Sequence, residues 1–172
     1  MKGEGILKDG TSVVEAFDAA VDFIFDDRAD EVREAMYEFI RSMHLAVKCE
    51  SGGLMFSHSL PSPGRLARGF DKGVLKREMT DEDIADSGSA YAMVWGRGHT
   101  QELADELGEA WGVKVFVMGH QPAEMGYEVE GESMLVLASD HEHGVALPVA
   151  LGKEDTRDEL VEELVPLGAV VL

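Results

Sequence analysis

The sequence predicts an α/β fold, a mixed or antiparallel sheet with helices packed outside it. Three observations carry that expectation. Apolar residues recur at helical spacing in two stretches before residue 44. Short apolar runs separated by turn residues read as hairpins between 45 and 57 and again from 127 onward. Two further apolar runs, Met55-Phe56-Ser57 and Val115-Phe116-Val117-Met118, stop abruptly at His58 and at Gly119-His120.

Ser12 and Glu15 form a capping box, and Val13, Val14, Phe17, Ala20, Val21 and Ile24 follow at helical spacing, so a first amphipathic helix is expected to end near Asp26-Asp27. A second runs from Asp30 to about Met43, with Val32, Ala35, Met36, Phe39 and Ile40 on one face and acids in its first turn. Their acidic faces read as solvated surface, and His44 as a favourable cation at a helix end. Leu45–Cys49 and Leu54–Ser57 flank Glu50-Ser51-Gly52-Gly53, turn chemistry that makes a hairpin whose second strand delivers His58. Cys49 reads as a small buried hydrophobe.

From Pro61 to Ser89 the chain is rich in Pro, Gly and charge, with one capped turn at Thr80. Arg65, Arg68, Lys72, Lys76 and Arg77 make it locally basic; it reads as a solvated loop, or as a segment that covers a site and attracts an anion. Tyr91–Trp95 is expected as a strand leading into Gly96-Arg97-Gly98, and Thr100 as the cap of a helix through Trp111 with Leu103, Leu107 and Ala110 inward. His99 beside that cap is structural or exposed. Strands are then expected at Lys114–Met118, Tyr127–Val129, Met134–Ala138 and Val145–Ala150, a capped helix from Thr156 to about Leu164, and a terminal strand at Gly168–Leu172. No internal repeat or linker marks a domain boundary.

The formal charge of −19, from 34 acidic against 15 basic residues, disfavours nucleic acid and anionic lipid as partners. The single cysteine cannot close an internal disulfide, and no stretch approaches the ~20 apolar residues of a membrane span. The first residues lack the apolar core of a secretory signal, so a cytoplasmic protein is expected.

Candidate chemistry gathers at the two histidines. An imidazole at the carboxyl end of a strand sits where α/β folds collect ligand groups. One such histidine reads as a strand cap, whereas two with the same local grammar point to metal ligation, neutral imidazole being the commonest metal ligand. Arg97, flanked by glycines that allow close backbone approach, suits an anion, because guanidinium is permanently charged and forks onto two phosphate oxygens. His141 and His143, in the loop Ser139-Asp140-His141-Glu142-His143-Gly144, point the same way if extended.

Met118-Gly119-His120-Gln121-Pro122 continuing to Gly126-Tyr127-Glu128 resembles the Ala-His-Gln to Gly-Tyr-Glu stretch of the phosphoprotein phosphatases in the calcineurin-like metallophosphoesterase family. The segment ending in His58 resembles that family's upstream histidine motif, and Gly96-Arg97-Gly98 its Arg-Gly element. The resemblance runs from about Tyr37 to Pro148. It implies that residues 1–172 are the carboxyl-terminal portion of a single phosphoesterase domain, part of a β-sandwich flanked by helices. It further implies that His58 and His120 ligate one ion of a dinuclear centre (Mn, Fe or Zn). Arg97 is then a catalytic, phosphate-binding residue, with His141 and His143 bordering the substrate. The family's Asp-x-His, Gly-Asp-x-x-Asp and Gly-Asn-His motifs do not occur in this sequence. Gln121-Pro122 stands where many members carry a second histidine, and the resemblance leaves that ligand's place to His141 or His143. The expected substrate is a phosphorylated protein or small phosphoester, turned over only with the missing amino-terminal half. The expected partner is that missing half or a second copy in a homodimer, and the alternative function is a non-catalytic remnant that binds metal or protein.

Overall fold

The structure, a computed structural model, describes residues 7–8, 11–51, 53–150 and 152–169. It divides into two compact units, Met1–His44 and Leu45–Leu172.

In the first unit a short antiparallel pair, β1 (Leu7–Lys8) and β2 (Thr11–Ser12), leads into α1 (Val13–Phe25), a 3-10 turn at Asp26–Arg28 and α2 (Ala29–Ser42). Ser12 caps α1 by accepting the Glu15 N–H at 3.3 Å. Arg33 on α2 reaches back to α1, pairing with Asp18 at 3.3 Å and with Asp22, and also with Asp30 at 2.9 Å. Val21 and Ala29 are buried in these helices, but Phe23 is 90% exposed, and Ile24, Phe39 and Met43 are exposed as well.

The second unit is mixed α/β. Its elements are β3 (Ala46–Cys49), β4 (Leu54–Ser57), α3 (Pro63–Ala67), a 3-10 turn at Lys72–Lys76, α4 (Asp81–Ile84), α5 (Ser89–Trp95), α6 (Gln101–Trp111), β5 (Val115–Met118), β6 (Tyr127–Glu130), β7 (Met134–Leu137), β8 (Val145–Ala146), α7 (Arg157–Glu162), β9 (Val165–Pro166) and a 3-10 turn at Leu167–Ala169. Five strands form one mixed sheet in the order β3-β4-β5-β7-β6: β4, β5 and β7 run parallel, and each outer strand pairs antiparallel with its neighbour. Alternate side chains of the central strands feed two apolar layers, so β5 is buried along its whole length. Met55, Phe116, Met118, Met134 and Val136 pack with Ala92 and Met93 of α5 and Leu103, Leu107 and Trp111 of α6. On the other face Leu54, Val115, Val117 and Leu135 pack under Leu160 of α7.

Three expectations are corrected. Tyr91–Trp95 belongs to the helix α5, whose buried side chains, Ser89, Ala90, Ala92 and Met93, fall at the three-to-four spacing of a helix face rather than alternating. The strand expected over Val145–Ala150 stops at Ala146, pairing with Val165–Pro166. The terminal segment turns into a 3-10 helix at Leu167–Ala169, and residues 170–172 of that expected strand lie outside the described residues.

The basic segment 61–89 spends much of its charge internally. Arg77 forks onto Asp83 at 2.6 and 2.7 Å and also holds Asp71, Lys72 pairs with Glu106 at 2.6 Å, and Arg65 donates to the Ser87 carbonyl. Arg77 holds the carboxyl groups of Asp83 and Asp71 below the usual carboxylate range, helped by backbone N–H groups of Thr80 and Gly73. No helix among the described residues is long and apolar enough to cross a membrane.

Candidate functional site

β4 and β5 lie side by side and parallel, Ser57 opposite Met118, so the residues that follow them emerge together at their carboxyl ends. The ladder continues one step further, the Gly119 N–H reaching the His58 carbonyl at 3.2 Å. The chain then turns sharply. His120 adopts φ 67°, in the left-handed region, and the Gln121 N–H bonds back to the Gly119 carbonyl at 2.8 Å, the hydrogen bonding of a γ-turn centred on His120. A side chain larger than glycine is strained there, and such strain clusters at functional sites.

This turn swings the His120 ring against His58. His58 Nε2 and His120 Nδ1 are 3.0 Å apart, with ring centroids 4.7 Å apart. Trp95, at the end of α5, walls His120 edge-on at 5.6 Å. His58 is exposed and His120 half-buried. Two buried polar atoms at the paired strand ends have no hydrogen-bond partner: Ser57 Oγ and His120 Nε2. Burial depresses the His120 pKa, and the charges of Arg97, His58 and His99 depress it further, so the ring is neutral near pH 7. Arg97 itself is exposed.

Behind the histidines lies a polar cluster that the sequence did not announce. His99, its side chain 1% exposed, faces Glu130 Oε2 with Nδ1 at 3.2 Å and the Leu60 carbonyl with Nε2 at 3.0 Å. Ser59, fully buried, donates to the Gly96 carbonyl at 2.7 Å. Glu130 Oε1 accepts from Gln121 Nε2 at 2.9 Å. No local pattern marks Glu130, which sits in what looks like an ordinary acidic turn.

His141 and His143 behave differently from the pair. His141 Nε2 donates to the Ala123 carbonyl at 2.9 Å, and Nδ1 accepts the His143 N–H at 3.2 Å, so both ring nitrogens serve the loop. His143 stacks edge-on against His141 and faces Glu142 at 3.7 Å. A concavity of about 210 Å³ between Ala46, Met55, Leu75 and Trp111 shares no residue with the histidine pair.

Two imidazole nitrogens on one tetrahedral ion, each about 2.0–2.1 Å from it, stand roughly 3.3 Å apart, so a separation of 3.0 Å fits one edge of a coordination shell after a small opening. A neutral His120 can offer its Nδ1 lone pair in that role. The fit extends to two ligands, for no group of three or more His, Cys, Asp or Glu side chains able to hold a metal occurs among the described residues. Comparisons with protein-family models, curated proteins and solved structures find no match for this chain.

Proposed function

We propose that this chain carries the histidine and arginine part of a metal-dependent phosphoesterase centre acting in the cytoplasm on a phosphorylated protein or small phosphoester. In this reading His58 and His120 hold one divalent ion and Arg97 clamps the substrate phosphate. The remaining ligands of a dinuclear site come from outside residues 1–172, and the five-stranded sheet is one layer of a metallophosphoesterase sandwich. The observation that supports it most is the meeting of two imidazoles at the ends of adjacent parallel strands, one of them on strained backbone. When bound, the ions polarise phosphoryl oxygen and acidify a bound water. The chain's own residues orient and bind. The γ-turn aims His120, Trp95 limits water access to it, and Arg97 supplies a fixed positive charge in a chain of net charge −19.

Cobalt(II) titration monitored by visible absorption tests the ligand assignment. The 172-residue chain should bind cobalt weakly, His58→Ala and His120→Ala should abolish binding, and Arg97→Ala should retain it while losing affinity for phosphate. Equal metal loss in Arg97→Ala, or unchanged binding in His120→Ala, refutes the assignment. With manganese, the chain alone should hydrolyse p-nitrophenyl phosphate negligibly. The second reading, a non-catalytic domain that binds metal or protein, is favoured by the absence of a third ligand among the described residues. It predicts cobalt binding without phosphate affinity at Arg97.

A further inference from the structure

The polar cluster behind the histidines has a logic of its own. Around His99 the neighbours are oxygen acceptors: the Glu130 carboxylate at Nδ1, and the Leu60 carbonyl and Ser59 Oγ at Nε2, the last at 3.3 Å. The single hydroxyl proton of Ser59 has its shortest acceptor in the Gly96 carbonyl at 2.7 Å, which leaves Ser59 Oγ as an acceptor towards His99. The ring is therefore fully satisfied when both nitrogens donate, a charge-assisted arrangement next to a carboxylate. A ring so enclosed, 1% exposed, cannot reach solvent to meet those needs another way.

Each contact of His99 leads, directly or through one further hydrogen bond, to a residue close in sequence to a candidate site residue. Leu60 and Ser59 follow His58 directly in sequence. Ser59 holds the carbonyl of Gly96, whose next residue is Arg97. Glu130, at the end of β6, also holds the side chain of Gln121, the residue after His120. Three segments distant in sequence are thus tied to one buried imidazole and its carboxylate.

We infer that His99 is a positioning residue that donates from both ring nitrogens and fixes the Gly96-Arg97-Gly98 turn through Ser59 and Leu60, so that Arg97 is held ready to meet a phosphate. Glu130 accepts from its Nδ1 and is the tie to Gln121. This inference rests on Arg97 being the phosphate clamp, and the test separates the two claims.

Inorganic phosphate is titrated at low ionic strength into the 172-residue chain and into Arg97→Ala, His99→Gln and the double variant, with affinities read from amide shifts. The inference expects about tenfold weaker binding in each single variant and no further loss in the double variant, the non-additivity of residues acting through one group. Weaker binding in Arg97→Ala with wild-type affinity in His99→Gln overturns the positioning role and leaves the clamp standing. Wild-type affinity in Arg97→Ala overturns the clamp and the inference with it. Where His99→Gln does not fold, Glu130→Gln and the imidazole ¹⁵N signature take its place. The wild-type His99 should show two N–H nitrogens in the folded chain and Glu130→Gln only one. A single N–H in the wild type overturns the inference.

Discussion

Replacing Gly96 by alanine tests how tightly the arginine turn is built against β4. Gly96 has φ −67° and ψ 146°, open to any residue, so alanine brings no backbone strain and by itself should stabilise by about 0.4–1 kcal/mol through the unfolded chain. The obstacle is contact. An added Cβ would overlap the carbonyl oxygen of buried Leu60 and stand 2.9 Å from that of Ala92, where real Cβ atoms essentially never come within 3.0 Å. Relief requires the Leu60 and Gly96 segments to part by about 1.4 Å in a close-packed interior. That displacement takes the Ser59 bond to the Gly96 carbonyl and the His99 bond to the Leu60 carbonyl, now 2.7 and 3.0 Å, out of hydrogen-bonding range. Overpacking costs roughly 1–3 kcal/mol and each of the two broken buried hydrogen bonds about 1–3, so after the gain from alanine the net loss should be about 2–9 kcal/mol. Both tryptophans, Trp95 and Trp111, lie in the Leu45–Leu172 unit, and their fluorescence in a urea titration reports on it. Gly96→Ala should unfold at clearly lower urea. A midpoint at or above that of the wild type would refute the close approach and the coupling drawn from it.

Other expectations follow from single contacts. Arg77 lowers the pKa of Asp83 and Asp71, so their stabilisation is fully present above the ordinary carboxylate value of about 3.9 and is lost as pH falls below it. Melting temperatures between pH 2 and 5 should accordingly fall less steeply in Asp83→Asn than in the wild type, and identical slopes would contradict the pairing. Leu107→Ala empties a fully buried position between α6 and the sheet and should lose about 2–5 kcal/mol in denaturant titrations. His141→Ala removes the acceptor of the His143 N–H and should speed hydrogen exchange there while cobalt binding stays unchanged. Cobalt loss in that variant would move His141 into the centre.

The meeting of His58 and His120 was legible because buried parallel strands write themselves as unbroken apolar runs, and both runs stop at the same end of the sheet. The hairpin of β3 and β4 and the caps at Ser12, Thr100 and Thr156 were equally local, set by residues three apart or by a turn. Tyr91–Trp95 was not, since its aromatic and β-branched residues suit a strand and only the burial of Ala90, Ala92 and Met93 decides for a helix. The left-handed turn at His120 left no mark in a residue type that glycine would replace more comfortably. Glu130 was illegible for a different reason, as its partners lie 31 and 9 residues away and nothing near it in sequence needs a carboxylate.

The parallel pairing of β4 with β5 also sets an order of events during folding. β3 with β4, and β6 with β7, close over short turns and can pair early. β4 cannot meet β5 until residues 58–114, with α3 to α6, have been gathered between them, and loop-closure entropy makes such contacts slow to form. His58 and His120 therefore come together only as the central sheet completes. On the proposed ligation by His58 and His120, a divalent ion added during refolding should leave the formation of the two hairpins unaffected and act only on the final step.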